Sequence, residues 1–215
     1  MFTNMEKWDL CSTPIDCERL RGRVCFGGLD LSSTTGISAF MLLFPPVADD
    51  PKYSILPWFF LPANAIEKRS ERDGVPCDVW AREKLLDLTD GDVIDYDYIR
   101  SRINQAAHEY EIKEIAYDPF NAQQLVIQLA KDGLEMVAVR QGFSGLNAPT
   151  KRLMELVLTR VLAHGGNPVL RWMASNVVVA TDAADNIKPN KAASIDNIAG
   201  IAALINALAR AIESL

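Results

Sequence analysis

A mixed α/β fold is predicted: a central β-sheet combining an antiparallel meander with parallel strands and flanked by α-helices. Three observations carry that prediction. Apolar runs at residues 24–30, 36–44 and 53–61 follow one another across short turns, the pattern of consecutive antiparallel strands. Residues 111–117, 121–131 and 134–139 read as strand, helix, strand, a crossover that sets its two strands parallel. Residues 195–215 form a strongly apolar terminal helix able to cover one face of such a sheet.

Taken in order, residues 1–22 have no clean period and contain Pro14 among scattered charges, so they read as an arm or a former linker. The first strand closes on Asp30 and turns through Ser32-Ser33-Thr34-Thr35. In the third strand Pro57 has no N–H for a ladder, which asks for an edge position or a bulge. Residues 78–88 read as a short amphipathic helix, and 96–110 as a second with Ile99, Ile103 and Ala106 on one face. The helix at 121–131 is stopped by Asp132-Gly133, and one at 149–164 by Gly165-Gly166. Residues 177–179 and Ile187 frame a small hairpin around 182–186. There is no repeat and no low-complexity stretch.

Composition narrows the function classes. A chain of 215 residues with 49% hydrophobic content builds one ordinary core. No uninterrupted apolar run reaches the roughly 20 residues of a bilayer span, and the first twenty residues, with Glu6, Asp9, Asp16 and Glu18, are unlike a signal peptide; a cytoplasmic location without membrane contact is expected. Cys11, Cys17, Cys25 and Cys77 form no C-x-x-C pair, which argues against zinc or a disulfide framework. A net charge of −6 speaks against a nucleic-acid partner, yet residues 140–191 hold seven basic and three acidic side chains, so a basic surface in the C-terminal third stands beside the reading of ordinary solvated charges.

The candidate chemistry is acidic. Asp30 and Asp118 each stand where an apolar strand meets a polar turn, and on neighbouring strands such carboxylates approach closely enough to share Mg2+ ions. A turn or cap aspartate is the plainer alternative. Asp196 falls in the first turn of the terminal helix, where an acid also suits the macrodipole. Two hard cations about 3.5–4 Å apart hydrolyse phosphodiesters without histidine or cysteine. With only His108 and His164 as bases, Ser-His-Asp and Cys-His schemes are weak; His164 reads as a helix-end cap. Lys188 and Lys191 flank Asn190 in a polar loop before Asp196, placed either for DNA phosphate contact or simply for solvent. The tryptophans read as core, and no G-x-x-x-x-G-K-[ST] is present.

Five strings, Gly27-Gly28-Leu29-Asp30-Leu31-Ser32, Tyr117-Asp118-Pro119-Phe120-Asn121, Gly165-Gly166-Asn167-Pro168 through Asn176, Ile187-Lys188-Pro189 and Ile195-Asp196, resemble in that order the C-terminal nuclease domain of the large terminase subunit of tailed bacteriophages. The resemblance covers roughly residues 23–213, within a nuclease domain read as residues 23–215. It implies a ribonuclease H-like fold, two Mg2+ or Mn2+ ions, and cutting of concatemeric double-stranded DNA during packaging in the host cytoplasm. Asp30, Asp118 and Asp196 match the family's three metal-binding acids, whereas Gly36 stands where such proteins often carry another acid. It also implies partners, namely the terminase ATPase domain, the small terminase subunit and the portal. Tethering to them supplies effective concentration, so an acidic domain with weak, sequence-independent cleavage of its own is expected.

Two other readings compete. Residues 28–36 also resemble the phosphate-binding hairpin loop of actin-like and sugar kinases, a phosphotransferase reading that calls for two similar halves and a second Gly-rich loop, neither found here. A non-catalytic module keeping the fold is less attractive with three acids intact.

Overall fold

The computed structural model describes residues 4–32, 35–120 and 122–214. Two short helices open the chain, α1 (Met5–Asp9) and α2 (Cys17–Leu20), followed by β1 (Val24–Asp30), β2 (Ser38–Phe44) and β3 (Tyr53–Pro62). After a 3-10 turn at Ala63–Ala65 come α3 (Ile66–Asp73), α4 (Cys77–Arg82), β4 (Asp87–Thr89) and α5 (Tyr96–Glu109). The crossover follows as β5 (Glu111–Tyr117), α6 (Gln123–Lys131) and β6 (Met136–Ala138). Then α7 (Phe143–Leu158), β7 (Leu162–Ala163), α8 (Pro168–Asn176), the pair β8 (Val179–Thr181) and β9 (Ile187–Pro189), and α9 (Ala199–Ser214) complete the chain.

The strands order as β4-β3-β2-β1-β5-β6, with β7 pairing β3. The meander of β1 to β3 is antiparallel, and β5 and β6 continue it in parallel, as the apolar runs and the crossover predict. Alternation divides the core. Phe26, Ala39, Met41, Leu43 and Ile55 face α7, α8 and α9, while Cys25, Leu29, Phe40, Leu42 and Phe44 face α5 and α6. All seven residues of β2 are buried, consistent with a strand covered on both faces. Pro57 pairs with Met41 on one side. On the other, β7 meets β3 at Tyr53 and Ser54 and β4 meets it at Phe60 to Pro62, so the proline lies in an opening on the sheet's outer margin.

Three predicted helices have different limits. The helix expected at 78–88 ends at Arg82, because Lys84 turns left-handed (φ 60°) and Leu85 N donates to Trp80 O while Lys84 N donates to Ala81 O, the Schellman closure. Residues 87–89 then join the sheet as β4. Helix α7 starts six residues before Pro149, which lies inside it, and ends at Leu158 through the same closure around Arg160 (φ 59°). Helix α9 starts at Ala199 rather than Ile195, with Asn197 Oδ1 accepting from Ala199 N at 2.9 Å. Asp196 therefore precedes the helix. The Ser33-Thr34 turn and the helix start expected at Asn121 lie outside the described residues.

The segment read as an arm or former linker lies against the body. Trp8 is fully buried and stacks on His164 with ring centroids 4.5 Å apart, and Asp9 pairs with Arg171 at 2.7 Å. His164 is not a helix cap: it follows β7, is buried, donates from Nε2 to Trp8 O at 2.8 Å and accepts Gly166 N at Nδ1 at 3.2 Å. Burial holds its pKa below the ordinary histidine range, against the Trp8 carbonyl. As pH falls below about 6.5, the unfolded chain takes up a proton the folded ring refuses, so stability is lost from pH 7 towards 5. In calorimetry His164→Gln is expected to flatten the fall of Tm over that range; an unchanged slope counts against this assignment.

Candidate metal centre

The parallel register of β1 and β5 pairs Leu29 with Tyr117, which brings the next residue of each strand, Asp30 and Asp118, to the same end of the sheet. Alternation turns Asp30 to the α9 side. That helix approaches closely because β1 offers Gly28, where a Cβ would stand 1.8 Å from Ala203 O. Asn206, buried in the apolar stretch of α9, donates to Leu29 O at 3.2 Å and accepts from Gln141 at 3.3 Å. The carbonyl just before Asp30 is thus held by Asn206, whose own amide oxygen is held by Gln141.

Between the two acids stands a cation from the protein itself. Lys191 Nζ lies 2.5 Å from Asp30 Oδ1 and 3.1 Å from Asp118 Oδ2. Burial raises the pKa of Asp30, opposed by Lys191 and reinforced by Asp118. Burial works against the Lys191 ammonium as well, yet the two carboxylates hold its pKa above the usual lysine range. A pocket of about 190 Å3 opens beside them, lined by Asp118, Gln141, Lys188, Asn190, Lys191 and Asn206 among others. Lys188 is turned inward, donating to Gln141 O at 3.0 Å and lying over the Phe143 ring. Phosphate contact by either lysine therefore requires it to leave these partners.

Asp196 sits in the bend before α9; its carboxylate accepts from Asn197 N at 2.7 Å and faces α3, with Arg72 Nη2 at 3.6 Å. Asp73, absent from the sequence-derived candidates, has a fully buried side chain, and burial raises its pKa against the Arg72 hydrogen bond. Its readable signal is an acid in the last turn of a helix, where the dipole opposes it. Asn206 carried a signal too, the one amide in the apolar run of α9.

The donor set suits a hard divalent cation: carboxylate oxygens, with an ammonium between two of them marking where positive charge is stabilised. Among the described residues no three acidic, histidine or cysteine side chains converge as a ready-made cluster. Asp30 and Asp118 are brought together; Asp196 stands apart from them, held by other partners.

Comparison with known proteins places this geometry. A family model, terminase large subunit, endonuclease domain, matches residues 1–214. The large terminase subunit of Enterobacteria phage HK97 is 32% identical over 206 residues, 94% of this chain and 40% of that protein. The crystal structure of the HK97 large terminase superposes with a TM-score of 0.87 at 30% identity, over 97% of this chain and 43% of that one. This chain thus spans less than half of those relatives. Two solved nucleases at 12% identity share the fold: that of thermophilic phage G20c with bound magnesium (TM-score 0.55, 88% of this chain and 84% of that one) and that of bacteriophage SPP1 with bound Mn (0.53, 93% of each). The mixed sheet is therefore ribonuclease H-like, the kinase-like alternative falls away, and the chain belongs to the endonuclease-domain family of the terminase large subunit.

Proposed function

We propose that this chain is a Mg2+- or Mn2+-dependent endonuclease that cuts concatemeric double-stranded DNA during packaging, with Asp30, Asp118 and Asp196 holding two ions. The observation that carries this reading is the placement of Asp30 and Asp118 side by side around a single positive charge, 2.5 and 3.1 Å from Lys191 Nζ. Ions bound by such carboxylates supply charge that activates water and stabilises the leaving oxygen of a phosphodiester. The chain's own residues prepare the place. Asp30 is fixed by β1 and by the Asn206 contact one residue earlier, and Asp118 is turned by accepting from Phe120 N at 3.0 Å.

Lys191 is the group that withdraws when the site loads, and withdrawal frees an ammonium beside the reacting phosphate. Its side chain is about half exposed, so the pair it gives up is worth roughly 1 kcal/mol. Lys191→Met is accordingly expected to tighten Mn2+ binding about fivefold in calorimetry; weaker binding makes the lysine a supporter of the site rather than a competitor.

The ATPase domain, small terminase subunit and portal are the proposed partners, acting in the host cytoplasm. No helix among the described residues is long and apolar enough to cross a membrane. With a net charge of −6, the domain depends on such tethering for DNA affinity. The test is plasmid cleavage with Mn2+, using wild type beside Asp30→Ala, Asp118→Ala and Asp196→Ala. Wild type cuts and the three variants do not; intact plasmid with wild type, or equal cutting by the variants, defeats the proposal.

A further inference from the structure

Asp196 has no regular element beneath it, yet its backbone is pinned on both sides. Ile195 N donates to Asn176 O at 3.2 Å, and Asn197 Nδ2 donates to Ile37 O at 3.3 Å. The carboxylate accepts from Asn197 N at 2.7 Å through Oδ1, and helix α3 supplies its charged partner. Arg72 Nε donates to Asp73 Oδ1 at 2.7 Å while its Nη2 lies 3.6 Å from Asp196 Oδ1, so one guanidinium spans two carboxylates. From the far side Arg69, itself buried, brings Nε to 3.1 Å from Asp73 Oδ2, a contact of charge rather than an aligned hydrogen bond.

This arrangement is costly for a helix of eight residues. A buried carboxylate with its guanidinium partners is generally no more stable than apolar side chains of the same volume, and an acid in the last turn works against the helix dipole. The expense is understandable if the group it supports has to be held in one orientation, as carboxylates around metal ligands commonly are.

We propose that Arg72 and Asp73 are positioning residues that fix the direction of the carboxylate of Asp196, the third acid of the proposed metal set, with Arg69 fixing Asp73. The proposal rests on the nuclease reading above, and the two fail differently in the same experiment. Mn2+ binding is measured by calorimetry and plasmid cleavage on the same preparations, with thermal melting as a control for folding. Asp73→Ala is expected to weaken Mn2+ binding about 10–100-fold. Arg72→Ala, a side chain 58% exposed and therefore safe for the fold, weakens it less, in the range of about threefold to tenfold. Asp73→Asn, which keeps an oxygen able to accept from Arg72, stays within about threefold of wild type. In an Asp196→Ala background, Asp73→Ala has no further effect on binding, a coupling that a merely structural role would not produce.

Folded Asp73→Ala and Arg72→Ala variants with wild-type Mn2+ affinity overturn the proposal, and so does tighter binding, which would make α3 a restraint on Asp196. If Asp73→Ala fails to fold, Arg72→Ala and the Asp196→Ala coupling with Arg72→Ala decide it. Mn2+ binding by a wild-type protein that leaves DNA intact refutes the nuclease reading alone.

Discussion

In the Asp30→Asn variant, Mn2+-dependent plasmid cleavage falls by more than the roughly 10–100-fold that loss of a supporting residue costs, while the thermal midpoint holds or rises. The two halves of this result have one cause. Asp30 is 7% exposed, and a carboxylate taken out of water opposes folding unless its partners compensate fully. Its partner Lys191 has a side chain 46% exposed, so compensation is partial, and the amide removes the charge without removing the shape. Lys191 keeps Asp118 at 3.1 Å and has water within reach, so the cost of orphaning it is small. A metal ligand bought at the expense of stability is the signature sought: nicking assays and calorimetry on one preparation read both quantities. Normal cutting removes Asp30 from the site, and a large fall in Tm shows that its charge serves the fold.

The second large effect is mechanical. Gly28→Ala is expected to destabilise the protein by about 3 kcal/mol or more, a fall in Tm of roughly 6–12 °C for a chain of this length. The added Cβ would stand 1.8 Å from Ala203 O and 2.9 Å from Ala207 N, backbone atoms of a helix whose inner face is fully buried against the sheet. No side-chain rotation relieves such a contact; α9 has to move off β1. Because Asn206 on that helix holds Leu29 O, cleavage falls further than the loss of folded protein explains. A Tm within about 2 °C of wild type means that the helix yields more easily than this packing implies.

How far the sequence could be read follows from where its signals are local. The meander and the crossover rest on apolar runs bounded by turns, and β1, β2, β3 and β5 match the residues expected to within two positions. Asp30 and Asp118 were visible because both end such runs. Helix ends were read less well, for a specific reason. Both α4 and α7 close through a left-handed residue that is Lys84 or Arg160 instead of glycine, so the usual stop signal is absent and each predicted helix overran by six residues. Pro149, taken as a helix start, costs a single internal hydrogen bond in the middle of α7 and is buried there. His164 had the position of a cap only because that overrun placed it at a helix end. Asp73 and Asn206 were missed since their importance comes from residues more than a hundred positions away, Asp196 and Leu29, which no local period reveals.

The opening at Pro57 has a consequence for behaviour in a crowded setting. Between the short parallel contacts of β4 and β7, residues 55–59 of β3 present an unpaired margin among the described residues, and such a margin invites a passing extended chain to add itself as a strand. Pro57 sits at its centre and has no N–H to offer, so a ladder started from either side is interrupted there. Flanked by two neighbouring strands and broken in the middle, the stretch is too short and too poor in donors to seed aggregation.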